Sequence, residues 1–225
     1  MKLSSLRLFI VFFVFYSSFI IHHSSFAAQA ASVPTIVKRL QARYDSTKGF
    51  RADFTQEVES ATLGQKVESR GKVFFKKPGR MRWEFTSEPQ QLLVSDGKFF
   101  WFYQPAEKQV LKTPFQHALR SNTPASFLTG VGRVDQDFTV TLQGETKQIY
   151  NLRLTPKQDP EAIGLMDLEV DAKTFDILQA TIIDPLGNTT RVRFTNINRK
   201  IPLEDNLFRF TVPSGVDVVE PPSTS

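Results

Sequence analysis

The chain has no cysteine among its 225 residues. It can form no disulfide and carry no N-terminal lipidated cysteine, so its stability has to come from a packed core. Histidine is scarce as well: beyond residue 30 only His117 remains. A hydrolase needs a nucleophile with a base beside it, yet no Gly-x-Ser-x-Gly elbow, His-Glu-x-x-His pair or phosphate-binding glycine loop occurs. Gly130-Val131-Gly132 lacks a third glycine and a preceding strand. No catalytic residue, metal site or cofactor is expected, and His117 reads as a structural or surface residue of a short helix. Strong charge is missing too. The formal net charge is +5, or +3 without Lys2 and Arg7, which argues against nucleic acid as a partner.

Only one long apolar run exists, Leu8 to Ile21, broken by Tyr16, Ser17 and Ser18. Lys2 and Arg7 precede it and Ala28-Gln29-Ala30 follows. That order predicts a secretory signal peptide over residues 1–30, leaving a single mature domain over 31–225. The alternative, a membrane anchor, is disfavoured by the short run and the adjacent cleavage pattern. A mature chain of 195 residues suffices for a sizeable core.

Phenylalanine is what the chain has in excess: 21 Phe against 4 Tyr, with fifteen of the Phe beyond residue 30. A ring with no polar handle must be buried or line something greasy. The densest stretch is Gly71 to Tyr103, GKVFFKKPGRMRWEFTSEPQQLLVSDGKFFWFY. Pro78-Gly79 separates its first two apolar runs and Ser95-Asp96-Gly97-Lys98 its last two, so it reads as hairpins. If Asp96-Gly97 is a two-residue loop, Val94 faces Phe99. Leu92, Val94, Phe99, Trp101 and Tyr103 then share one face, and Leu93, Phe100 and Phe102 the other. Both faces are apolar, so both need a cover. We expect Phe54, Met81, Trp83, Phe85, Leu92, Val94, Phe99 and Trp101 together on one concave face.

Elsewhere the pattern is mostly of period two. Val33, Ile36, Val37, Leu40 and Tyr44 recur at helical spacing, and Pro34 and Gly49 punctuate a helix over Ser32–Lys48. Strands are predicted at Phe50–Ser60, Lys66–Lys76, Gln109–Thr113, Asp137–Gln143, Gln148–Leu154, Leu165–Asp171, Ile177–Ile183, Thr189–Asn196 and Phe208–Thr211. Pro114–Gly132 interrupts them with one or two short helices containing Phe127 and Leu128. The expected fold is mainly β: about ten strands in meander order, curled into a half-open antiparallel barrel, with helices over one face.

Two charged sets have alternative readings. Asp167, Glu169 and Asp171 fit either a cation site or the wet face of a strand. Lys66, Arg70, Lys72, Lys76, Lys77, Arg80 and Arg82 fit either a solvent face or a docking edge for anionic groups.

Taken together, Phe54-Thr55-Gln56, Gly71-Lys72-Val73-Phe74-Phe75-Lys76-Lys77-Pro78, Arg82-Trp83, Leu93-Val94-Ser95-Asp96-Gly97, Trp101-Phe102-Tyr103-x-Pro105 and Thr123-Pro124-x-x-Phe127-Leu128 resemble the periplasmic outer-membrane lipoprotein carriers of the LolA family. The resemblance implies a bent, incomplete barrel whose helices, with Phe127 and Leu128, form a lid over an apolar cavity. It implies a monomeric periplasmic chaperone, not an enzyme. Such a chaperone receives acylated lipoproteins from an inner-membrane ABC transporter and passes them to an outer-membrane acceptor. The alternative is a periplasmic lipid- or lipoprotein-sensing domain of the same fold. The family often places an arginine before the proline, where it hydrogen-bonds to the lid helices. Lys77 stands there in this chain, which makes Lys77, with Arg80 as a second candidate, the expected lid latch.

Overall fold

A computed structural model describes residues 32–115, 133–158 and 164–220. These residues belong to one unit, Ala31–Ser225. Helix α1 covers Val33–Ser46, with Pro34 in its first turn and Ile36, Val37, Leu40 and Gln41 buried. The strands are β1 Gly49–Glu59, β2 Lys66–Lys76, β3 Arg80–Phe85, β4 Gln91–Asp96, β5 Phe99–Gln104 and β6 Gln109–Pro114. After a short helix α2, Val134–Asp137, come β7 Phe138–Glu145, β8 Ile149–Pro156, β9 Leu165–Asp171, β10 Ile177–Ile183, β11 Thr189–Asn198 and β12 Asp217–Val219. The strands predicted at Lys66–Lys76, Leu165–Asp171 and Ile177–Ile183 stand as expected.

The twelve strands of the described residues form one open sheet in the order β12-β6-β5-β4-β3-β2-β1-β11-β10-β9-β8-β7. It is therefore two antiparallel meanders, β1–β6 and β7–β11, joined where β1 pairs with β11. The simple meander expected from the sequence misses this join, because a pairing between strands so far apart in the chain leaves no local pattern. Phe208–Thr211 is not a strand. Residues Asp205–Phe208 form a 3₁₀ turn instead, and the closing strand β12 lies further on, parallel to β6.

The front face carries two apolar clusters. Under α1, its Ile36, Val37 and Leu40 pack with Val134, Tyr150, Leu152, Leu154, Met166, Leu168, Val170, Phe175, Ala180 and Ile182. Next to it, Ala52, Phe54, Val73, Met81, Trp83, Val192 and Phe194 form a second cluster, with Phe50, Phe85, Leu93, Phe100 and Ile197 packed against it. Gly71 sits opposite Phe54 on one side and Phe85 on the other. A side chain there would run into the Glu84 carbonyl and the Phe54 ring, so glycine lets the aromatic rings close over the strand.

The back face changes character along the sheet. Behind β8–β11 it is a polar ladder: Arg153 donates twice to Asp167, and Gln179 donates to Glu169. Asp171 caps its own turn by accepting from the Lys173 and Thr174 amides. The Asp167, Glu169 and Asp171 carboxylates are thus a strand's wet face with partners in place. Behind β4–β6 the face carries Leu92, Val94, Phe99, Trp101, Tyr103 and Val110, beside the charged Arg80, Arg82 and Glu84 of β3, and the C-terminal segment covers it. Phe208 is buried, and Phe210 packs against Trp101 and Tyr103 at 6.2 and 5.8 Å.

Candidate functional site

The registers decide which aromatics share a face. In β3–β4, Met81 pairs with Ser95, Trp83 with Leu93 and Phe85 with Gln91. Leu92 and Val94 pair with Glu84 and Arg82, on the other side. In β4–β5, Val94 pairs with Trp101 and Ser95 with Phe100, so the turn holds four residues and not two. That shift of two keeps the expected grouping within the hairpin. Phe54, Met81, Trp83 and Phe85 lie on the front face as expected. Leu92, Val94, Phe99 and Trp101 do not: they face the back, and Leu93 and Phe100 take their place in front. The error lay in the phase between β3 and β4, which Glu88-Pro89-Gln90 sets and alternation cannot read. Phe127 and Leu128 lie outside the described residues.

Around the front cluster the rings meet edge to face. Phe54 stands 4.7 Å from Trp83 and 5.1 Å from Phe85, and Trp83 stands 6.1 Å from Phe194. Beside this cluster, beneath the C-terminal half of α1, lies a cavity of about 80 Å³. Its apolar walls include Leu40, Phe50, Phe75, Phe175, Phe194 and Ile197, and Arg43, Tyr44, Asp176 and Arg199 also line it. Alternation in β1, β2 and β11 offered a signal for Phe50, Phe75 and Phe194. Nothing local marks Asp176 and Arg199, whose contact bridges two separate turns.

Lys77 follows β2 and reaches the end of α1. Its Nζ donates to the Tyr44 carbonyl at 2.7 Å and to that of Asp45 at 3.3 Å, and it lies 4.4 Å from the Tyr44 ring centre. These carbonyls belong to the last helical turn, where a cation is favoured. Burial lowers the Lys77 ammonium pKa, and the charge of Asp45 opposes that shift. Arg80, the other expected latch, goes elsewhere: its Nη1 donates to Asp205 at 2.7 Å, where Lys76 Nζ also donates at 2.7 Å. Lys76 also bonds the Leu203 carbonyl, and Arg82 that of Leu207. Much of the basic hairpin thus secures the C-terminal segment rather than presenting a free charged edge.

Deeper in the cavity wall, Asp176 accepts from two arginines. Arg43 Nε donates at 2.7 Å and Arg199 Nη1 at 2.8 Å. Burial, reinforced by Arg43, pushes the Arg199 pKa down, although Asp176 opposes it. Burial likewise pushes the Tyr44 phenol well above its ordinary value. Among the described residues no group of three or more His, Cys, Asp or Glu is placed to hold a metal, and no helix is long and apolar enough to cross a membrane.

Residues 45–211 match the family model described as outer membrane lipoprotein carrier protein LolA. An outer-membrane lipoprotein carrier protein of Methylococcus capsulatus is 34% identical over 197 residues, covering 87% of this chain and 91% of that protein. A carrier of the same description from Cupriavidus taiwanensis is 33% identical over 199 residues, covering 87% and 92%. Among solved structures, an uncharacterized conserved protein from Thermus thermophilus aligns with a TM-score of 0.54 at 16% identity, over 85% of this chain and 100% of that one. This last likeness concerns the fold.

Proposed function

This chain belongs to the LolA family of outer-membrane lipoprotein carrier proteins, and from that premise we propose that it is a periplasmic chaperone for acylated lipoproteins. Residues 1–30 serve as its export signal and 31–225 as the carrier domain. It takes lipoproteins from an inner-membrane ABC transporter, shields their acyl chains on the front face and hands them to an outer-membrane acceptor. Each acyl methylene left in water costs about 0.8 kcal/mol, so unshielded transit is prohibitive. The work is binding and release, with no bond made or broken.

The observation that carries this reading is the aromatic cavity beneath α1, whose lining residue Tyr44 holds Lys77 on its main-chain carbonyl. Phe54, Met81, Trp83 and Phe85 give the acyl chains an apolar bed, joined by Phe50, Phe75 and Phe194. Lys77 acts as the latch. Two hydrogen bonds, each of about 1 kcal/mol net, favour the closed empty form without locking it. A passenger that lifts α1 loses those bonds, and delivery restores them. Mass spectrometry of protein purified from its native periplasm tests the proposal. An acylated polypeptide should co-purify in non-denaturing conditions, and repeated isolation with no acylated passenger would contradict it.

A further inference from the structure

Three buried side-chain polar atoms of the described residues lack any hydrogen-bond partner: Tyr44 Oη, Trp83 Nε1 and Arg199 Nε. All three belong to the front face, and all three can donate. Tyr44 and Arg199 line the cavity beneath α1, while Trp83 sits in the adjoining aromatic cluster. Buried donors without acceptors are rare in proteins and mark a missing partner.

We propose that Tyr44 and Arg199 form a polar subsite for the neutral carbonyl oxygens at the roots of acyl chains, so that this face recognises ester-linked chains and not hydrocarbon alone. The inference rests on the carrier reading and adds the chemistry of the ligand's linkage. Hydrocarbon has nothing to offer these donors, whereas an ester carbonyl supplies an acceptor and brings no donor of its own.

The charge arrangement favours a neutral acceptor over an anion. Both terminal nitrogens of Arg199 are engaged with Asp176, Nη1 at 2.8 Å and Nη2 at 2.6 Å, and Nε is the buried guanidinium nitrogen with no partner. Arg43 donates to the same carboxylate through Nε. Its side chain is 34% exposed against 24% for Arg199, so the more exposed of the two cations is Arg43. The Tyr44 phenol keeps its proton, because burial raises its pKa. Two residues that line the cavity thus each keep one buried, unpartnered donor atom, Tyr44 Oη and Arg199 Nε, beside Phe50, Phe75, Phe175 and Phe194, a setting suited to a carbonyl at the start of a methylene chain.

Tyr44→Phe isolates the effect. It keeps the ring under Lys77 Nζ and the main-chain carbonyl that Lys77 uses, and removes only the hydroxyl. The probes are a synthetic diacylated lipopeptide with an ester-linked S-diacylglyceryl cysteine and its ether-linked S-dialkylglyceryl counterpart. Their affinities are measured by titration on the mature protein, with thermal melts of the empty proteins. The wild type should bind the ester form about tenfold more tightly. Tyr44→Phe should lose most of that preference through weaker ester binding alone, and Arg199→Lys should do likewise. The empty Tyr44→Phe protein should melt at the same temperature as wild type or higher, because its hydroxyl has no partner to lose. Equal affinity for both lipopeptides in the wild type, or a lower melting temperature with an unchanged ester preference in Tyr44→Phe, overturns the subsite and leaves the carrier reading standing. Failure of the wild type to bind either lipopeptide removes the carrier reading and the subsite together.

Discussion

Val94 and Ser95 are neighbours in β4, both fully buried, and they face opposite ways. The sheet here is covered on both faces, but by different means. Behind Val94 the cover is the chain's own C-terminal segment. It is held by Phe208 and Phe210, by Asp205 between Lys76 and Arg80, by main-chain carbonyls on Lys76 and Arg82, and by β12 on β6. On the front, α1 covers the β8–β10 side, tied by Lys77 at its end, by Arg43 to Asp176 and by Gln41 to the Val134 amide, and buried donors are left unpaired beneath it and in the adjoining aromatic cluster. A face whose cover is permanent satisfies its polar groups. A face that must open for a ligand leaves some unsatisfied.

Substitutions on the two sides should therefore separate stability from binding. The largest effect is expected at the back: Phe208→Ala empties a fully buried site and should cost about 3–5 kcal/mol in denaturant unfolding. Lipopeptide affinity of the fraction that remains folded should not change, and an affinity loss there would mean that both faces serve the ligand. At the front, Phe50→Ala removes a half-buried cavity wall and should cost about 1–2 kcal/mol of stability. Acyl binding should fall more than about tenfold. If Phe50→Ala and Phe208→Ala cost the same stability and neither alters intrinsic affinity, the front is ordinary core.

Lys77→Leu comes next. It should lower stability by no more than about 1 kcal/mol. Loading from the transporter should remain intact, while transfer to the outer-membrane acceptor slows, because the closed empty state loses its advantage. Normal transfer by Lys77→Leu would take the latch away from Lys77. The smallest effect concerns pH. Lys76, then Arg80, depress the Asp205 carboxyl below its usual range. Its folded pKa lies below its unfolded one, so its contribution is present above about pH 4 and is lost as pH falls through the folded value. Asp205→Asn should flatten the acid limb of the stability curve, and added salt should shrink the difference. A variant whose acid limb matches that of wild type at low salt would remove the ion pair from the back cover's ties.

Much of the fold was legible because strands buried on one face alternate. The 66–76, 165–171 and 177–183 strands needed nothing more than period two and turn residues. The grouping of the candidate residues on one face was half legible. Phe54, Met81, Trp83 and Phe85 follow alternation within strands whose pairing a short hairpin fixes. The 92–101 residues went to the wrong face because the Thr86–Gln90 connection sets the phase between β3 and β4, and β4 and β5 carry large apolar side chains on both faces, so their own alternation does not report an error. The Arg43–Asp176–Arg199 trio was invisible for another reason: it joins a helix, a turn and a strand end that only the folded sheet brings together.

The pairing of β1 with β11 also sets an order of assembly. Glu57 and Arg191 are bonded across 134 residues, so closing this seam carries a large loop-entropy cost. The β1–β6 meander can form by local hairpins, and until β11 arrives it exposes one edge of its first strand. Arg51, Asp53, Glu57 and Glu59 stud that strand with charge. Charged side chains on an open strand discourage pairing with other copies. The same residues later engage β11: Glu57 takes Arg191, and Asp53 takes Asn196. They guard against aggregation while the chain folds and become cross-strand partners once it has.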